Sequence, residues 1–116
     1  SEGVSKRGMS LQRFVDVTSA NAAKIMGLYP QKGVIAPGSD ADIVLIDPSI
    51  KKRLTGDDFH ITDYSIWDGF DIEGWPVMTI LRGAVAVEDG ELKATLGGGK
   101  FLTRKVDQQI VNKPGC

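Results

Sequence analysis

Histidine and cysteine, the side chains most used to hold transition metals, occur once each in this chain, as His60 and Cys116. Metal ligands of these types come in short pairs such as HxH or CxxC, because two of them must converge on one ion. A single histidine therefore excludes a self-contained two-metal hydrolytic centre. One thiol also excludes an internal disulfide, so the chain is no disulfide scaffold, and a reducing cytoplasm is the expected compartment. Strong charge of either sign is lacking too: 14 basic residues against 15 acidic ones leave a net charge of −1. Nothing in that balance calls for nucleic acid or an acidic membrane surface. No stretch approaches the roughly 18 apolar residues of a bilayer span. The opening Ser1–Gly8 has no apolar run and no signal-peptide character.

What is present is a soluble composition, 41% hydrophobic and 25% charged, with 14 glycines among 116 residues. Frequent glycine means frequent turns, and turn-rich chains are usually built of short strands. Ser10 to Gly27 reads as helix: Ser10 is an N-cap, Leu11, Phe14, Val15 and Val17 lie near one face, and Gly27 ends the run. Thr18 and Ser19 give a second cap signal, so two short helices with a break near Thr18 are expected. Ala41–Asp47 then reads as a buried strand closed by Pro48, with Lys51–Leu54 as a second, more exposed one. Residues 55–75 form an expected aromatic loop, long for a small domain. From Pro76, Val77–Leu81 and Ala84–Val87 are expected antiparallel strands, joined by Arg82-Gly83 and followed by the turn Asp89-Gly90. Lys100–Leu102 is an expected edge strand, and 107–116 a mobile tail. Helices first and strands after give an α+β class. Leu45, Ile46, Val77, Ile80, Val85 and Val87 are the expected core.

Few residues carry chemistry. Asp57, Asp58, His60 and Asp63 have the right types for a metal loop, but the plainer reading is a solvated loop. Gly97-Gly98-Gly99-Lys100 lacks the GxxxxGK[ST] spacing and following helix of a phosphate cradle and reads as a hinge. Ser39 and Ser65 sit in turn contexts without a nucleophile elbow. The acid pairs Asp57-Asp58 and Glu88-Asp89 read as turn residues, and Cys116 as a frayed terminal residue. Tyr64, Trp67, Phe70 and Trp75 suit either a ligand groove or, preferably, an anchor onto a neighbouring surface. No catalytic, cofactor-binding or metal-ligating residue is assigned.

Several stretches resemble the amidohydrolases, and within them the dihydropyrimidinase and D-hydantoinase type. Thr18 to Leu28 resembles a TS-x-N-x-A-K-x-x-GL helix that follows the last barrel strand of that family. Gly33 to Val44 resembles its KG-x-I-x-x-G-x-DAD segment. Asp63 to Gly69, with Gly74 to Val77, resembles the more specific DYS-x-[WY]-[ED]-G…G-x-P stretch. Arg82-Gly83, Val87 to Glu91 and Gly99 to Leu102 resemble the family's last strands.

The resemblance implies a C-terminal piece, itself structural and inactive, of a metal-dependent hydrolase that opens dihydropyrimidine or hydantoin rings. Residues 1–29 would then be helices from the end of a (β/α)₈ barrel, and 30–106 part of a small β-sandwich. The parent would carry a binuclear metal centre, usually zinc, on ligands that match no residue here, so no cofactor is expected in this chain. The expected partner is the rest of that enzyme or a second copy of the chain, in a homo-oligomer. Two other readings stay open at this point: a non-catalytic dihydropyrimidinase-related scaffold, and a small-molecule binding module using residues 57–75.

Overall fold

The computed structural model describes residues 1–59, 64–95 and 97–112. After a π-helical turn at Glu2–Lys6, helix α1 spans Leu11–Val15, and Ser10 caps it, its Oγ accepting from the Arg13 amide at 3.1 Å. A π-helical turn, Asp16–Ala20, carries α1 directly into α2, Asn21–Ile25. The expected break near Thr18 is therefore absent. The Thr18 hydroxyl donates instead to the Phe14 carbonyl at 2.7 Å. A hydroxyl used this way leaves no free end to cap; it widens the helix locally without stopping it. Gly27 does end the run, at φ +71°.

Among the described residues the sheet is antiparallel, four strands in sequential order. Strand β1 is Ile43–Arg53, β2 Asp71–Leu81, β3 Ala84–Glu88 and β4 Glu91–Leu92. Both glycine turns take the form that suits a hairpin, with positive φ at Arg82 and Gly83 and again at Asp89 and Gly90.

Three expectations for the strands are corrected. Pro48 does not close the first strand; β1 runs through it, and pairing with β2 is irregular between Asp47 and Lys51. Proline is tolerated there because β1 lies at the sheet edge, where a missing amide costs no ladder bond. Strand β2 begins at Asp71 and takes in Trp75 and Pro76, which shortens the expected loop. Lys100–Leu102 is not a strand, while Gln108–Asn112 forms a short helix, α3.

The expected core is also corrected. Leu45, Ile46 and Val85 are exposed, and Val77, Ile80 and Val87 are only half-buried. Ala23 and Leu54 are the buried apolar residues among those described. The reason is that, among the described residues, the sheet is a single layer with no second layer packed on its face. The chain's radius of gyration is 16.4 Å, against about 13 Å for a compact domain of this length. Its exposed surface is 9245 Å², where a folded monomer of this mass would show about 6,200 Å².

What joins helix to sheet is the connecting segment 27–42. Gly33 has φ +84°, and a Cβ built there would sit 2.5 Å from the Ala23 Cβ and 2.9 Å from the Ser19 carbonyl oxygen. Gly38, at φ +90°, faces open space. Both positions strain a side-chain-bearing residue by about 1–2 kcal/mol, but Gly33 adds a backbone clash. Gly33→Ala should therefore lose at least about 1 kcal/mol more than Gly38→Ala, several degrees in Tm, measured by circular dichroism. Equal losses would contradict this close approach.

Candidate functional site

The best-defined polar constellation is a clasp beside that glycine. The Lys32 Nζ lies 2.8 Å from the Asp40 carboxylate and also pairs with Asp42. Asp42 Oδ1 accepts from the Arg82 amide at 2.9 Å, and the Ala41 carbonyl accepts from the Gly83 amide at 3.0 Å. The clasp thus ties the connecting segment to the β2–β3 hairpin. Burial works to raise the Asp42 carboxyl, but the Lys32 ammonium and the Arg82 amide outweigh it and hold the group below its usual value. Hydrogen bonds from Lys32 to Asp40 and Asp42 hold the lysine above its own usual value. This chemistry positions backbone; all three side chains are already committed to each other.

A second constellation pins the aromatic stretch. Thr55 and Asp58 form a reciprocal cap on a 3-10 turn, Gly56–Asp58. The Asp58 carboxylate also pairs with Lys52, whose ammonium stands 3.6 Å from the centre of the Trp75 ring. The hydrogen bonds from Lys52 and the Thr55 amide keep Asp58 in its ionised form. Leu54 exchanges two backbone bonds, its amide with the Phe70 carbonyl and its carbonyl with the Gly69 amide, each at 2.8 Å. Trp67 and Phe70 meet edge to face, 5.4 Å between ring centres. Trp67, Phe70 and Tyr64 are nonetheless exposed.

The residues singled out from sequence do not assemble into a catalytic group. His60, Asp63 and Cys116 lie outside the described residues. Asp58 is engaged by Lys52. Ser39 Oγ donates to the Pro30 carbonyl nine residues back, and Ser65 Oγ accepts from the Trp67 amide in a local turn. No helix starts directly after Gly97–Lys100, and the Gly98 carbonyl accepts from the Arg82 guanidinium. Glu88 ends β3 and Asp89 begins its turn. Among the described residues no three His, Cys, Asp or Glu side chains converge as metal ligands. Also among the described residues, no helix is long and apolar enough to cross a membrane.

Sequence reasoning missed the clasp. Its signal was visible, a lysine eight and ten positions before two aspartates, but opposite charges at that spacing are common in loops.

With this geometry in place, the comparisons assign a family. The amidohydrolase family model matches residues 1–86, and the chain belongs to that family. It is 45% identical over 106 residues to a D-phenylhydantoinase of Escherichia coli O1:K1 / APEC, covering 90% of this chain and 23% of that protein. A dihydropyrimidinase structure from Brevibacillus agri NCHU1002 superposes with a TM-score of 0.86 at 40% identity, over 91% of this chain and 23% of the other. An L-hydantoinase (dihydropyrimidinase) structure from Arthrobacter aurescens gives 0.83 at 41% identity, over 90% and 23%. The chain thus corresponds to a short piece of hydantoinase-type proteins, spanning about a quarter of the length of these relatives.

The clasp has a defined pH window. Asp42 titrates below its ordinary 3.8 when folded, so its stabilisation is complete above about pH 4 and is lost as pH falls through the lowered value. Lys32 titrates above its ordinary 10.5, so its share is complete below that and is lost as pH rises through the raised value. Lys32→Met should cost about 1 kcal/mol at neutral pH and progressively less in acid, read from urea titrations. A deficit that does not change with pH would contradict an ionic clasp.

Proposed function

We propose that this chain is the structural, non-catalytic C-terminal part of a metal-dependent hydrolase that opens cyclic amides of the hydantoin or dihydropyrimidine type. The observation that carries this reading is the match itself: it runs along 90% of the chain at 45% identity, yet accounts for 23% of a D-phenylhydantoinase. The open architecture supports it. In this reading residues 1–29 are helices at the end of a (β/α)₈ barrel, and 30–106 contribute strands to a β-sandwich finished by the rest of the enzyme. The metal centre, zinc in this reading, belongs to that remainder, and the enzyme is a cytoplasmic homo-oligomer. Similar likeness to a D-phenylhydantoinase and an L-hydantoinase supports placing stereochemical preference outside this piece.

Within such an enzyme the clasp and the pinned aromatic stretch have a positioning task. Lys32, Asp40 and Asp42 hold the crossing from helix to sheet, and Trp67, Phe70 and Tyr64 present apolar surface toward a neighbour. Aromatic side chains displayed in this way suit an interface core.

The test is a chimera in which this chain replaces the matching segment of the E. coli relative. The chimera should hydrolyse hydantoin and dihydrouracil with the recipient's own preference, while the isolated chain with added zinc should show no turnover. Ring opening by the isolated chain would overturn the reading, and so would a folded, metal-loaded chimera without activity.

A further inference from the structure

The sequence holds two Asp-Gly steps, Asp68-Gly69 and Asp89-Gly90. In such a step the glycine amide nitrogen can attack the aspartate side chain before it, because no Cβ on the glycine hinders the approach. The two dipeptides are chemically the same, and the fold treats them differently.

At Asp68-Gly69 the nitrogen is committed. The Gly69 amide donates to the carbonyl of buried Leu54 at 2.8 Å, and the Leu54 amide returns a bond to the Phe70 carbonyl. The Asp68 amide donates to the Ser65 carbonyl at 3.1 Å, and the Trp67 amide to the Ser65 Oγ. The Arg53 guanidinium lies alongside, 3.5 Å from where a Gly69 Cβ would stand. Turning the Gly69 nitrogen onto the Asp68 carboxyl carbon breaks this set of bonds.

At Asp89-Gly90 both residues are exposed at a hairpin tip. Among the described residues the Gly90 amide has no backbone partner outside the strand ladder, and open space surrounds the glycine. Asp89 is held at φ +49°, a left-handed conformation that a residue with a side chain leaves readily. The strand beyond it, β4, is two residues long. Exposed tips on such short pairings open locally at little cost, and opening frees Asp89 to rotate.

We propose that Asp89-Gly90 is a site of spontaneous aspartyl isomerisation, while the fold protects Asp68-Gly69 from the same reaction. The Gly90 nitrogen gives its proton to solvent and bonds to the Asp89 side-chain carboxyl carbon, whose hydroxyl leaves as water. The product is a five-membered succinimide. Water then adds to its main-chain carbonyl and breaks the bond from that carbon to the Gly90 nitrogen. The backbone now runs through the aspartate side chain, as isoaspartate, with the mass unchanged and water as the sole co-reactant. The extra backbone methylene spoils a turn that depends on positive φ at both residues, so isomerisation releases β4. Nothing in this chemistry depends on the hydrolase reading, so an inactive chimera and an unaged turn are separate results.

The experiment is prolonged warm incubation of the purified full chain at neutral pH, followed by proteolysis and electron-transfer mass spectrometry, which distinguishes isoaspartate from aspartate. Both steps are read in one digest. Isoaspartate should accumulate at residue 89 about fivefold or more faster than at residue 68, the factor that one backbone hydrogen bond is worth. In urea that unfolds the chain the two rates should converge to within about a factor of two, because only the fold separates them. In the isomerised chain the Lys93 and Ala94 amides, which donate to the Ala86 carbonyl at 2.9 and 3.1 Å, should lose hydrogen-exchange protection. Equal rates in the folded chain, a faster reaction at Asp68, or a ratio that survives urea would each overturn the proposal. Retained protection at Lys93 and Ala94 would overturn the release of β4.

Discussion

The approach of Gly33 onto Ala23 is the constraint from which the arrangement of this chain follows. A helix and a sheet that share few direct contacts must be related through their connection, and this connection crosses the helix where only a glycine fits. Ala23, small and buried, supplies the other half of the fit. Lys32, next in sequence, then reaches Asp40 and Asp42, which closes the connecting segment on itself. Asp42 passes the constraint on to the Arg82 amide and so to the hairpin of β2 and β3. The family-like stretch from Gly33 to Val44 therefore has a mechanical meaning here: it carries a steric fit at one end and an ionic tie at the other.

Around that joint the structure is open. Leu11, Val15, Ile25 and Met26 line exposed helix surface, and the sheet shows Val44, Leu45 and Ile46. Such stretches normally face a core, yet in this chain they face outward. Apolar surface on this scale marks interaction sites in folded proteins. The same surface explains why chemistry is sparse: the polar groups that are well held here tie backbone to backbone. Of the acids with the composition of a metal site, Asp58 is paired with Lys52.

Much of the fold was legible from local chemistry. Ser10 and Gly27 bounded the helical run because caps act over one turn, and Arg82-Gly83 and Asp89-Gly90 marked hairpins because positive φ is a local demand. Tertiary context decided the rest. Thr18 looked like a cap because its hydroxyl can serve either a free amide or the carbonyl four residues back, and only the folded helix chooses. Pro48 looked like a strand end because edge position cannot be read from one strand. Leu45 and Ile46 looked like core because an apolar run predicts burial only when something packs on it. The Lys32 clasp was hidden for a related reason, since it depends on how residues 27–42 turn back on themselves. The kinship with hydantoinases was legible in the motifs, and substrate chemistry was not, because those motifs mark helix ends, turns and strands.

The most direct test of the central claim is reconstitution in trans. The E. coli relative, cut to remove the segment that matches this chain, would be refolded with and without the separate 116-residue chain, and hydantoin hydrolysis followed. The account predicts activity in the mixture and none in either part alone, since this chain supplies packing and the remainder supplies the chemistry. Equal activity from the truncated enzyme with and without this chain would contradict it.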